Sequence, residues 1–239
     1  DTTTITLTHC IHDLVSHPPT MYADPILTQA RSVLASHNGI WTTQALSALP
    51  LLDSFIKESQ RLHPIGQLLS QRKVLDPAGV TLQPTQGFEG AKPVHLPYGA
   101  VTQMPLHGIH MDAGVYEEPK QFKGFRFAED KVPSSQPSDR FMSFGHGMCS
   151  RSVQLVSLYS FEGGQLLMIP LGKHACPGRH LALVVVKLFL LEFLERFEFR
   201  EVERPRDWQL GFMFNAVPDM KTNVWIRPRK EGREVGVEA

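Results

Sequence analysis

The chain has 239 residues, long enough for one large domain or two small ones with a sizeable core. Lys+Arg and Asp+Glu each count 24, a balance that implies no bulk electrostatic attraction to nucleic acid or to an anionic membrane. The three cysteines, Cys10, Cys149 and Cys176, are too few and too far apart for a secreted disulfide framework, which points to a reducing compartment.

The chain opens as a helix already under way. In DTTTITLTHCIHDLVSHP, Leu7, Cys10, Ile11, Leu14 and Val15 share one helical face, and Pro18-Pro19 ends it. No signal peptide or anchor is visible, but a chain that starts within an element says nothing of a longer protein. DPILTQARSVLASH predicts a second helix with Ile26, Leu27, Ala30, Val33 and Leu34 inward, stopped by Asn38-Gly39. Thr42 or Thr43 caps a short helix, and another runs from about residue 51 to 63, before Pro64. Residues 71–105 hold short β-prone runs around Pro and Gly turns and predict a small sheet. Residues 112–144 are rich in Pro, Gly, Ser and charge, a long irregular segment of the kind that is usually functional in a compact domain. A strong helix is predicted from 177 to about 197. Its apolar run, 181–194, is too short for a membrane span and carries Lys187 and Glu192, so it reads as a buried helix. Residues from about 230 to 239 read as a solvated tail.

Two stretches belong together although they are apart. FGHGMCSRSVQ, at 144–154, begins a glycine-rich loop; LGKHACPGRHLA, at 171–182, resumes it. Joining Gly147 to Lys173 gives FGHGKHACPGR. In it Cys176 stands just before Pro177, a residue favoured at the first helical position. The start of a helix carries partial positive charge and free N–H groups, which favour a thiolate. Two plainer readings stand beside this one: a buried structural thiol at Cys176, or a zinc set made of His146, Cys149, His174 and Cys176.

The joined stretch resembles the haem-binding loop of the cytochromes P450, Phe-x-x-Gly-x-(Arg/His)-x-Cys-x-Gly, in a version that looks fungal. The resemblance implies that Cys176 is the axial thiolate ligand of the haem iron. It implies that His174 reaches a propionate, that Phe144 covers the cysteine side, and that Gly147 and Gly178 keep the loop close to the macrocycle.

A second motif follows. In LLDSFIKESQRLHP, Leu51, Phe55, Glu58 and Leu62 form a helical core stripe, so Glu58 points where an apolar residue is expected and needs a partner; Arg61 is within reach. An exposed i, i+3 pair is the plain reading. The pair is similar to the Glu-x-x-Arg helix of the same family, and the setting of Arg126 in YEEPKQFKGFRF resembles its third member, implying a buried network of Glu58, Arg61 and Arg126. Arg72 resembles the propionate arginine, although the residues after it depart from the pattern. The opening DTTT resembles the end of the oxygen-side helix signature, which implies that Asp1 and Thr2 handle protons for bound oxygen.

The resemblance implies a fold that is predominantly α with a small β region, the C-terminal part of the cytochrome P450 fold, over residues 1–239. It implies a haem-thiolate monooxygenase acting on a small lipophilic substrate such as a fungal secondary metabolite. Molecular oxygen would be the co-substrate and a cytochrome P450 reductase would deliver electrons from NADPH; no nucleic acid is involved. The full-length parent would sit at the endoplasmic reticulum membrane on its cytoplasmic face. The rival of another class is a truncated, non-catalytic fragment that binds no haem. Residues from about 148 to 171 read as a non-native insertion. Gly147-Met148-Cys149 can be encoded with GTATGT, a common fungal intron start, and Leu171-Gly172 with an intron-ending AG, so a translated intron accounts for the interruption; a genuine surface insertion is the alternative.

Overall fold

Proline and glycine punctuate the helices where the chain turns. The computed structural model describes residues 2–66, 68–84, 92–130, 133–138, 140–145, 176–210, 215–219 and 221–229, with the backbone alone for 68–72, 208–210 and 215–216. Helix α1, Thr2–Val15, buries Cys10, Leu14 and Val15 and stops before Pro18-Pro19. Helix α2, Ala23–Ser36, is turned away by Asn38 and Gly39, whose φ values of 55° and 73° lie in the left-handed region. Thr42 caps α3, Thr43–Ser47, its hydroxyl accepting the Ala45 N–H at 3.1 Å. Helix α4, Pro50–Leu62, begins on a proline, where no intrahelical N–H is needed.

The β-prone region forms two separate ribbons. Strand β1, Leu68–Lys73, pairs antiparallel with β4, Val101–Pro105; β2, Val80–Leu82, pairs with β3, Val94–Leu96. The short helix α5, Leu106–His110, follows β4 directly. Helix α6, Arg179–Arg196, leads into β5, Phe197–Phe199, which pairs with β8, Ile226–Pro228. Strands β6, Trp208–Leu210, and β7, Asn215–Val217, form the last ribbon. The architecture is predominantly helical with small antiparallel ribbons. Among the described residues no helix is long and apolar enough to cross a membrane.

The core lies where α1, α2, α4 and α6 meet and contains Leu14, Ile26, Phe55, Ile56, Leu190 and Leu194. Each such side chain contributes roughly 1.5–3 kcal/mol by leaving water. Helix α4 differs from the one-striped helix that its sequence predicts: every residue from 52 to 61 is buried. The irregular segment after α5 wraps its outer side. Ser54 Oγ donates to the Gly124 carbonyl and accepts from the Phe127 N–H, both at 2.9 Å, and Asp53 Oδ1 accepts from the Ser134 N–H and hydroxyl at 3.1 and 2.6 Å. Gly124 fits because it lacks a side chain: a Cβ there would lie 2.8 Å from Tyr22 Cε1 and 2.9 Å from Phe55 Cδ2.

Helix α6 also differs from expectation, being buried on one side only. Leu183, Val186, Leu190 and Leu194 face the core, while Leu181, Val185, Leu188 and Phe189 are exposed. Lys187 stays inside because it has partners, donating to Asp53 Oδ2 at 2.7 Å and to the Leu46 carbonyl at 2.8 Å.

Candidate functional site

Cysteine is among the residue types most often buried, and Cys10 behaves so: it is enclosed in the core, and burial pushes its thiol up to about 12. Cys176 is the opposite, a free and exposed thiol. The reading of Cys176 as a buried structural thiol is therefore corrected. It stands two residues ahead of Gly178, the N-cap of α6. The chain around it is pinned on both sides. Its N–H donates to the Phe144 carbonyl at 2.9 Å. Arg179 donates through Nη1 to the Cys176 carbonyl at 2.9 Å and through Nε to the Ser135 carbonyl at 3.2 Å. Gly145 makes the turn after Phe144 with φ 82°, its N–H donating to the Met142 carbonyl at 2.9 Å. Among the described residues the nearest atom to a Cβ at Gly178 would be Cys176 Sγ, at 4.0 Å.

The other loop residues named from sequence, Gly147 and His174, lie outside the described residues, as do His146 and Cys149 of the zinc set, Asp1, and the 148–171 segment. Arg72 has its backbone in β1, opposite Thr102, with its side chain outside the described set. Thr2 opens α1, exposed, and its carbonyl accepts from Thr6 Oγ1 at 3.1 Å. Helix α1 packs on α6.

Glu58, Arg61 and Arg126 converge, and the reading of the first two as an exposed pair is corrected. Glu58 and Arg61 are fully buried and Arg126 nearly so. Arg61 forks onto the carboxylate, Nε to Oε2 at 2.8 Å and Nη2 to Oε1 at 2.9 Å. Arg126 Nε lies 3.1 Å from both oxygens, and the Lys123 N–H donates to Oε1 at 3.0 Å. The remaining Arg61 hydrogens go to main-chain carbonyls, of His110 at 2.6 Å and of Pro119 at 2.7 Å. Arg126 likewise donates to the Glu117 and Gln121 carbonyls at 2.6 and 3.2 Å. One carboxylate and two guanidiniums thus tie α4 to the irregular segment that wraps it.

Sequence reasoning missed a second buried charge cluster, at the far ends of α1 and α4. Asp13 Oδ2 accepts from Ser59 at 2.6 Å, while Oδ1 bonds Arg204 and lies 3.4 Å from His63 Nε2. His63 Nδ1 is 2.7 Å from Asp207 Oδ2, and Arg204 Nη1 donates to Asp207 Oδ1 at 2.9 Å. Burial works against the Asp13 and Asp207 charges, but His63 and Arg204 outweigh it. Both carboxyls fall below their usual range, Asp207 to about 2. Burial also opposes the His63 charge, yet Asp13 and Asp207 raise its affinity for a proton. His9, His63 and Asp207 are a set chemically capable of holding a metal. Arg204 already bridges Asp207 and His9 Nδ1, the latter at 3.2 Å, and its guanidinium lies between the two carboxylates of Asp13 and Asp207. The cluster is a tie between α1, α4 and the segment after β5. Its members lie up to 195 positions apart, and no local spacing could have signalled it.

Residues 1–149 match the family model for cytochrome P450. The chain belongs to the cytochrome P450 family. Over 240 residues it is 31% identical to a cytochrome P450 monooxygenase of Aspergillus clavatus, covering 95% of this chain and 40% of that protein. It is 33% identical over 233 residues to a cytochrome P450 monooxygenase of Penicillium janthinellum, covering 95% and 38%. A solved structure of a zebrafish cytochrome P450 with abiraterone superposes with a TM-score of 0.64 at 23% identity, covering 96% of this chain and 45% of that one, which shows the fold. The chain spans about 40% of the length of the curated P450 relatives that it matches, consistent with a C-terminal portion of the P450 fold.

Proposed function

We propose that the protein to which this chain belongs is a haem-thiolate monooxygenase with Cys176 as the axial ligand of the haem iron. The observation that carries this reading is the exposed Cys176 thiol, just ahead of α6 and hydrogen-bonded through its N–H to Phe144. These residues fit the group: a thiol open to a ligand, a helix N-terminus that favours its anion, and a glycine at 178 whose Cβ position meets no described atom closer than Cys176 Sγ at 4.0 Å. When bound, the haem supplies the oxygen chemistry, which a thiolate ligand favours by pushing electron density toward O–O cleavage.

In this reading the chain's own residues bind, orient and protect. Phe144 shields the thiolate side from water. Gly147 and Gly178 keep side chains out of the ring's path. His174 and Arg72 hold the propionates as cationic or hydrogen-bonding partners. Asp1 and Thr2 move protons on the opposite side, the carboxyl as relay and the hydroxyl as donor. The Glu58, Arg61 and Arg126 network fixes the frame behind the loop. Electrons come from NADPH through a cytochrome P450 reductase. The substrate, a small lipophilic molecule of fungal secondary metabolism, and the endoplasmic reticulum membrane as the place of the longer protein follow from family likeness alone.

Residues from about 148 to 171 are, in the same reading, not part of the working loop. The family match stops at residue 149, within the interruption, while pairwise likeness to the fungal relatives runs over about 95% of the chain. In this reading the chain with that insertion is not a working monooxygenase, because the insertion separates Gly147 from Lys173 in the loop, although the Phe144 carbonyl still receives the Cys176 N–H. The test is a chain with Gly147 joined to Lys173, produced together with the preceding portion that the relatives have. Reduced and exposed to carbon monoxide, it should give the strongly red-shifted Soret band of thiolate ligation, and Cys176→Ser should abolish that band. Its survival in Cys176→Ser would overturn the assignment. A transcript that retains the coding sequence for 148–171 in every mature copy would overturn the insertion reading.

A further inference from the structure

Resting on the haem-thiolate reading, we propose that His110 is a positioning residue, which hangs the segment carrying Phe144 from the end of α4 and so sets where the Cys176 amide is received. His110 closes α5 and is fully buried. Its Nδ1 lies 3.1 Å from the Arg61 carbonyl. A carbonyl can only accept, so Nδ1 carries the hydrogen. Its Nε2 lies 3.3 Å from the Met142 amide nitrogen. A backbone N–H can only donate, so Nε2 is bare. The two partners together select one neutral tautomer.

The ring is held in its plane as well. It stacks on Phe141 at 5.5 Å and 11°, and meets Tyr116 edge-on at 6.5 Å. Tyr116 in turn donates to the Arg140 carbonyl at 2.6 Å. The bond to α4 is reciprocal, because Arg61 Nη1 donates to the His110 carbonyl at 2.6 Å. Burial, with the Arg61 cation beside it, keeps the imidazole neutral by pushing it down to about 4.

A continuous path results. Glu58 fixes the Arg61 guanidinium, Arg61 and His110 bond each other twice, and His110 Nε2 takes the Met142 N–H. The Met142 carbonyl takes the Gly145 N–H, and within that turn the Phe144 carbonyl takes the Cys176 N–H. The charge network and the cysteine are thereby linked through one imidazole. Asparagine offers a polar atom near the Nδ1 position and glutamine one near Nε2; neither offers both on a flat ring that stacks on Phe141. If His110 only fills space, both substitutions should act alike.

The experiment compares His110→Gln with His110→Asn in the full 239-residue chain, without haem, by amide-resolved hydrogen exchange. Gln keeps an acceptor for Met142, so the Met142 and Cys176 amides should exchange at close to the parental rate. Asn keeps the donor to Arg61 and loses that acceptor, so both amides should exchange about tenfold faster or more, the effect of one buried hydrogen bond. Equal acceleration in the two variants, or a change at Met142 with none at Cys176, overturns the proposal. The unsubstituted chain gives a second measurement that needs no variant to fold. Imidazole nitrogen shifts of His110 should report the tautomer protonated at Nδ1 near neutral pH; protonation at Nε2 overturns the proposal. Neither readout uses haem, so a failure here leaves the Cys176→Ser result untouched, and the converse holds.

Discussion

Glu58→Gln removes one charge and almost no volume from the network on α4, and its cost can be worked from the partners left behind. Arg61 is wholly buried, and its fork is built on the two carboxylate oxygens at 2.8 and 2.9 Å. With glutamine there, the carboxamide NH2 faces one guanidinium donor, and Arg61 is left with neutral acceptors alone, the carboxamide oxygen and main-chain carbonyls such as those of His110 and Pro119. Breaking one partner of a buried ion pair costs roughly 3–5 kcal/mol, a large fraction of the 5–15 kcal/mol that holds a typical domain. Arg126→Ala is milder. Arg126 reaches the surface, Glu58 remains paired with Arg61, and the carbonyl of Glu117 can turn to water. About 1.5–3 kcal/mol, the worth of a charged hydrogen bond, is expected. Arg61→Lys should not rescue, since an ammonium cannot replace a fork that serves two carboxylate oxygens and two carbonyls. Urea unfolding followed by far-ultraviolet circular dichroism measures this, with the slope checked for constancy. Glu58→Gln within about 1 kcal/mol of the parent, or Arg126→Ala costing as much as Glu58→Gln, would refute the reasoning.

Three further outcomes are expected. Protonated His63 stabilises the fold fully below its ordinary value of 6.5, and that contribution is lost as pH rises through its raised folded value. Asp13 and Asp207 contribute above the ordinary carboxylate range and lose that contribution as pH falls through their depressed values. The melting-temperature gap between the parent and His63→Gln should therefore shrink from mildly acid to alkaline pH; a gap independent of pH contradicts this. Gly124→Ala should destabilise by about 1–3 kcal/mol, because the new methyl must displace the rings of Tyr22 and Phe55; an unchanged urea midpoint would show that the rings yield freely. Joining Gly147 to Lys173 should raise haem uptake over that of the chain as written, measured by titration of the Soret band, and equal uptake would count against the insertion.

What was legible in the sequence was local. The apolar spacings and the stops at Pro18-Pro19 and Asn38-Gly39 marked the helices, and the Thr42 cap was visible as a residue type. Glu58 and Arg61 stand three positions apart on one helix, so their bond was within reach of spacing alone. The ribbons β5 to β8 are three residues each, too short to carry an alternating pattern. The full burial of α4 was not legible, because it depends on a segment without periodicity that wraps the helix from the far side.

The partners of Arg61 show why such a gap is physical. Among the described residues one of its acceptors is a side chain with a sequence signature; the others are the carbonyls of His110, Pro119 and, at 3.5 Å, Gln121. Any residue type offers a carbonyl, so nothing in the identity of Pro119 or Gln121 announces the contact. His110 was missed for a related reason. Both of its ring partners are main-chain groups, at Arg61 and Met142, so no complementary residue stands at any fixed distance from it in the chain. Where side chains meet side chains at helical spacing, as at Glu58 and Arg61, sequence suffices. Where side chains are held by backbone, as along the path from Arg61 through His110 to Phe144 and Cys176, the connection exists only once the chain has folded, and it is there that substitutions should discriminate most sharply between a residue that fills space and one that holds the loop.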